Sequence, residues 1–211
     1  MTLIQQARTW YPSDDIHGWG HISRVYYLAE KLAQTEGADL EIVRAAALLH
    51  DAADADPSHK TARASHQHAS AAFARRILSE AGWPEARIRA VEHCIRAHRY
   101  RERSEEPQTL EAKILFDADK LDAIGAIGVA RAVAHAAMSG QPLYAPPSET
   151  FLQTGKTEDG EPHSAYHEYA FKLRHIQTRL YTPAAREMAS ARHRLMTQYF
   201  EELAHEMNIP A

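Results

Sequence analysis

Apolar residues recur every three to four positions along nearly the whole chain, and β-branched runs bounded by turn residues are scarce, so the pattern predicts an all-helical protein. Val25, Leu28 and Leu32 follow His21 at i+4, i+7 and i+11, which puts His21 on the buried stripe of a helix that Gly37 stops. Asp39 reads as the N-cap of the next helix, whose Leu40, Val43, Ala47 and His50 share a face and which ends near Asp51. Ser65 or a neighbour opens a further helix, which runs through Phe73 and Ile77 to Gly82. Pro84 and Glu85 suit the first turn of the one after it, reaching about His98. A polar stretch from Arg99 to Gln108 leads into a helix over 109–122, on which Leu115, Asp119 and Asp122 share a face.

Gly125, Gly128 and the alanines after them suit a close helix contact. From Ser139 to about His163 the chain is rich in proline and glycine and poor in apolar residues, which predicts a long loop, either a lid or a disordered insert. Two last helices follow over 165–180 and 183–207, divided by Thr182 as N-cap and Pro183 at the first helical position. No repeat or composition shift marks a boundary, so residues 1–211 read as one domain.

Composition removes several function classes. The chain has 211 residues, 45% hydrophobic and 25% charged, enough to bury a core and too apolar for disorder. A net charge of −4 is far from the basic balance of a protein that tracks a nucleic-acid backbone, so nucleic acid is not an expected partner. No segment approaches the ~18 apolar residues of a membrane span, and no signal-like start is present, so a cytoplasmic protein without a membrane partner is expected. The single cysteine, Cys94, excludes an internal disulfide framework and reads as a packed side chain. Fourteen histidines are scattered along the chain. That abundance turns attention to the inward-facing ones.

A buried imidazole or carboxylate is costly unless it is paired or binds a metal. His21, the adjacent His50 and Asp51, and Asp119 sit at such positions on three helices. Together they offer two imidazoles and two carboxylates, a set suited to a divalent cation such as Mn²⁺, Fe²⁺, Co²⁺ or Zn²⁺ and, less well, Mg²⁺. Glycine-rich nucleotide loops and a nucleophile elbow are missing, since Gly18-Trp19-Gly20 lacks both a third glycine and a preceding strand.

Four blocks in order then carry a resemblance. They are Gly20-His21-Ile22-Ser23-Arg24-Val25, Leu48-Leu49-His50-Asp51, Glu92-His93-Cys94-Ile95-Arg96-Ala97-His98, and the stretch from Ala112 to Gly125 containing Asp117-Ala118-Asp119-Lys120. The chain resembles the HD superfamily of metal-dependent phosphohydrolases over most of its length, and in particular the small bacterial single-domain members. Some of those cleave nucleoside triphosphates to monophosphate and pyrophosphate.

The resemblance implies an all-α, HD-type helical bundle with its metal-site core at about 17–125 and C-terminal helices over 164–207. It implies one divalent metal, manganese first and Mg²⁺, Fe²⁺, Co²⁺, Ni²⁺ or Zn²⁺ as alternatives, held by His21, His50, Asp51 and Asp119. Asp51 joins the metal to the activated water. Asp54 stands where related hydrolases carry a glutamate that orients or deprotonates that water. Arg24 and Lys172 match basic positions turned toward substrate phosphates, and His93 or His98 is expected at the phosphates rather than at a second metal. The expected substrate is a nucleotide, and apolar faces on the last helices fit a homodimer. Alternatives are a nucleotidase or other phosphoesterase, a noncatalytic nucleotide-binding module, and a di-iron oxygenase.

Overall fold

A computed structural model of the chain describes residues 2–16, 18–55, 66–99 and 105–207, with the backbone alone at Asp54 and Ala55. Helices and turns make up these residues, and no strand occurs among them. Two compact units form, one from Met1–Asp119 with Tyr181–Ala185 and the other from Lys120–Leu180 with Arg186–Ala211.

In the first unit, α1 (Leu3–Ala7) precedes α2 (Trp19–Glu36), α3 (Leu40–Leu49), α4 (His66–Glu80) and α5 (Glu85–Ala97), and α6 (Leu110–Asp122) closes it. The predicted caps are in place. Gly37 takes a left-handed φ of 77°, which a residue with a Cβ adopts only at a cost, and ends α2. Asp39 accepts from the backbone N–H groups of Glu41 and Ile42 to start α3. The opener expected at Ser65 lies outside the described residues. The short α1 gave no periodic signal because five residues barely exceed one turn.

Helix α3 packs against α2, α4 and α5, and its small residues Ala45, Ala46 and Ala47 allow close approach. Around it Ile22, Val25, Leu32, Leu49, Leu78, Ile88 and Ile95 are fully or almost fully buried. Each such side chain contributes about 1.5–3 kcal/mol of burial free energy. Asp117, fully buried on α6, accepts hydrogen bonds from the backbone N–H groups of Tyr181 and Thr182 (2.9 and 2.7 Å) and from Thr182 Oγ1 (2.7 Å). An amide in its place would turn an N–H₂ group toward donors. Asp117→Asn is therefore expected to lower unfolding free energy by about 2 kcal/mol, read from the urea midpoint at unchanged slope.

The second unit contains α7 (Gly125–Met138), α8 (Glu149–Thr154), α9 (Ala165–Phe171) and most of α10 (Pro183–Met207). Gly125 has φ of 77°, and a Cβ there would lie 2.9 Å from Arg192 Cβ, so the contact expected of this glycine is real and admits no side chain. Asp122, buried, pairs with Arg131 at 2.7 Å.

Two expectations are corrected here. The stretch read as one loop contains α8, started by Ser148 as N-cap. It is held by Glu161, whose carboxylate accepts from Ser148 N–H, Ser148 Oγ, Glu158 N–H and His167 Nε2. The Ser148 amide, foremost among these donors, draws the Glu161 pKa down to about 2. The helix expected over 165–180 instead stops at Phe171, and 3-10 turns at Leu173–His175 and Gln177–Arg179 follow. Lys172 leaves helical geometry (φ −123°, ψ −58°). Leu173, Ile176 and Leu180 are buried, and their spacing serves the tighter turns as well as an α-helix.

Candidate metal centre

Local packing fixes each side chain of the site. At the start of α2, Gly18 and Gly20 press onto the preceding turn: a Cβ on Gly20 would lie 2.0 Å from Asp15 Oδ1, and one on Gly18 2.2 Å from the Pro12 carbonyl oxygen. The Gly-Trp-Gly sequence thus serves to seat the first turn of α2, which carries His21 inward at 1% exposure. His50 follows the last residue of α3 and is fully buried. Tyr11 steadies that helix end by donating from its phenol to the Leu48 carbonyl at 2.9 Å. Beyond Asp51, a 3-10 turn over Ala52–Ala55 is tied to α4 by the Ala53 N–H, which donates to Ser70 Oγ at 3.0 Å. Asp119, on α6, reaches the same place.

The four residues expected to ligate a metal come together. His21 Nε2 lies 3.5 Å from Asp119 Oδ1 and 3.8 Å from Asp51 Oδ2, and His50 Nε2 lies 3.5 Å from Asp51 Oδ2. His50 Nδ1 donates to the Ala47 carbonyl at 2.9 Å, so in the neutral ring the lone pair is on Nε2. That nitrogen is buried without a hydrogen-bond partner. A divalent cation at about 2.1 Å from its ligands spans donor separations of about 3.0–3.4 Å, close to those seen. The donor set and the orphaned Nε2 fit such an ion, and His21, His50 and Asp119 bring ligand atoms within 4.8 Å of one another.

Electrostatics favour the same state. Burial foremost, reinforced by the nearby His98 and His21, pushes the His50 pKa down to about 4, which leaves a neutral imidazole at neutral pH. Burial raises the Asp51 pKa, yet His50, His66 and His98 outweigh it and hold the carboxyl well below the usual range. The Asp51 side chain keeps 31% exposure and Asp119 15%, so the cluster opens to solvent on its carboxylate side.

The remaining expected residues are distributed as follows. His98, the C-cap of α5, is buried and lies against Asp51, with Nε2 3.6 Å from Oδ1. His93 turns elsewhere: Nδ1 meets Glu105 Oε1 at 2.5 Å and Nε2 accepts from the Gln108 N–H. Arg24 donates to the Asp15 carbonyl at 2.8 Å. Lys172, in the other unit, pairs with Glu168 at 2.7 Å. The side chain of Asp54 lies outside the described residues. One site residue escaped the sequence reading. His66, the first residue of α4, has Nε2 3.2 Å from Asp51 Oδ1. It stands four, seven and eleven positions before Ser70, Phe73 and Ile77, the first two of them buried, so the spacing that turned His21 inward could have found it.

The HD domain model matches residues 18–124, the span that contains this cluster. The chain is 36% identical to YpgQ from Bacillus subtilis (strain 168) over 214 residues, covering 98% of this chain and 93% of that protein. The crystal structure of B. subtilis YpgQ in complex with ADP superposes with a TM-score of 0.72 at 32% identity, covering 97% of this chain and 98% of that one. An HD-superfamily hydrolase from Bacillus thuringiensis superposes with a TM-score of 0.69 at 28% identity, over 98% and 97% of the two chains. These matches run the length of the chain and agree with the geometry: the chain belongs to the HD-domain family and is an HD-superfamily metal-dependent phosphohydrolase.

Proposed function

We propose that the chain hydrolyses nucleoside triphosphates to monophosphate and pyrophosphate, at a divalent cation, manganese first, held by His21, His50, Asp51 and Asp119. The observation that carries the reading is the convergence of these donors around the orphaned Nε2 of His50 on a side open to solvent. Bound there, a divalent cation supplies Lewis acidity toward water and a phosphoryl oxygen. The chain's own groups do the rest. Asp54 orients the attacking water and takes its proton, and Arg24 and Lys172 offset the charge of the substrate phosphates. Of the two histidines read toward the phosphates, His98 stands nearer this chemistry, since Glu105 engages His93.

A nucleotide substrate is supported by the ADP bound to the similar B. subtilis protein. No single helix among the described residues is long and apolar enough to cross a membrane, in keeping with a cytoplasmic enzyme. Leu195, Tyr199 and Met207 are exposed on α10 and fit a homodimer.

The test is a screen of manganese-loaded protein against nucleoside mono-, di- and triphosphates, with phosphate and pyrophosphate measured separately. Pyrophosphate released from triphosphates is expected. Phosphate from monophosphates would make the enzyme a nucleotidase, and nucleotide binding without turnover would make it a binding module. In the same assay Asp54→Ala is expected to keep its metal and lose most of kcat, and an unchanged kcat would remove Asp54 from the mechanism.

A further inference from the structure

We propose that two copies of this chain pair through α10, antiparallel about a two-fold axis near Thr197, with Leu195 of each against Tyr199 of the partner subunit. The inference rests on the homodimer read above and names its surface and its orientation. Helix α10 buries one stripe and shows another. Ala185, Ala189, Met196 and Phe200 are fully buried. Beside them on the helix surface, Leu195, Tyr199 and Leu203 follow one another at i, i+4 and i+8. Leu195 and Tyr199 are exposed, and with Gln198, Glu202, Leu203 and Glu206 they line an open groove to which α10 alone contributes. An apolar stripe on a long regular helix is the seam along which helices pair.

The charges around the stripe select the occupant. The N-terminal half of α10 carries Arg186, Arg192, His193 and Arg194 with one acid, Glu187, whereas the C-terminal half carries Glu201, Glu202 and Glu206 with His205. A parallel second copy would set arginine against arginine and glutamate against glutamate. An antiparallel copy lays each basic half on an acidic one, so the face is its own complement, as an isologous interface requires. With Leu195 over Tyr199 of the partner subunit, Arg194 stands beside the partner's Glu201 and Glu187 beside the partner's His205, and symmetry repeats each pair. Glu187, Arg194, Glu201 and His205 are all exposed. Arg194 donates to Ser190 Oγ at 2.8 Å, and Glu187, Glu201, Glu202 and Glu206 make no ion pair among the described residues.

The same register brings Ala191, small and exposed, beside the partner's Leu203, which lets the two backbones approach closely there. From Glu187 to Met207 the helix runs about 30 Å. Stable specific interfaces bury about 1,200–2,000 Å² in all, and one helix pair of this length stands at the low end of that range. The dimer therefore forms and dissociates at micromolar concentration.

The experiment is sedimentation velocity of manganese-loaded protein across micromolar concentrations. Wild type is expected to pass from the 23.7 kDa of one chain to twice that mass as concentration rises. Leu195→Glu is expected to stay at the single-chain mass, with unchanged far-ultraviolet circular dichroism because the side chain it replaces is exposed. Arg194→Glu is expected to raise the dissociation constant about tenfold, and Arg194→Glu combined with Glu201→Arg to restore it. A dimer that survives Leu195→Glu overturns this face and leaves the homodimer standing. A single-chain mass for wild type at every concentration overturns both and leaves the stripe to an unlike partner. Loss of the dimer in Leu195→Glu without rescue by the exchanged pair overturns the antiparallel register.

Discussion

Asp51→Ala is expected to lower kcat by at least ~10³-fold and to abolish manganese retention at micromolar metal. Asp51 is the residue on which both halves of the site depend. Its Oδ2 lies within 3.8 Å of His21 and His50, and its Oδ1 within 3.6 Å of His66 and His98. Alanine removes the carboxylate that four imidazoles surround, so any cation bound there loses an anionic donor as well as a coordination bond. The fold is expected to survive, because the Asp51 side chain is 31% exposed and no core residue depends on it. Circular dichroism, metal content and steady-state turnover on one preparation check the three parts. Full turnover with normal folding would remove Asp51 from the chemistry.

The second large effect is a loss of stability on acidification. His50 titrates near 4 in the folded protein against an ordinary value of 6.5, with burial the foremost cause. Above pH 6.5 the ring is neutral in both folded and unfolded chains, and the contribution is fully present. As pH falls from 6.5 toward 4, the unfolded chain takes up a proton that the folded one refuses, and stability declines with it. Below about 4 both states are protonated and the loss levels off. The metal-free protein is expected to lose about 3 kcal/mol over this window from His50 alone. Asp51 acts in a separate window, since its depressed carboxyl loses its contribution only below the ordinary 3.8. Urea unfolding of metal-free wild type and His50→Gln from pH 7 to 4 isolates the effect. Parallel pH profiles for the two proteins would contradict it.

Much of the site was legible in the chain because it is built on helix faces. His21 shares the stripe of Val25 and Leu32, and both of those residues are fully buried, so the histidine had to point inward. His50 came from a helix whose start at Asp39 was readable as a cap. His66 was passed over although Phe73 and Ile77 follow it at the spacing that turned His21 inward, whereas the true placement of His93 was not legible. His93 depends on Glu105, which reaches it from beyond the end of α5, and periodicity carries no record of such a partner. Spacing did separate His93 from His98: five positions along a helix turn two side chains about 140° apart, and the structure sends one to Glu105 and the other to Asp51. In the second unit, the break at Lys172 was hidden because Leu173, Ile176 and Leu180 satisfy both kinds of helix. The fastening of α8 through Glu161 was hidden because a carboxylate that caps distant amides looks like any surface acid.

The most direct measurement is anomalous diffraction at the manganese edge from crystals grown with that metal. A peak within bonding distance of His21 Nε2, His50 Nε2, an Asp51 oxygen and an Asp119 oxygen is the predicted result. A peak away from these atoms, or none at saturating manganese, would contradict the centre from which the chemistry is derived.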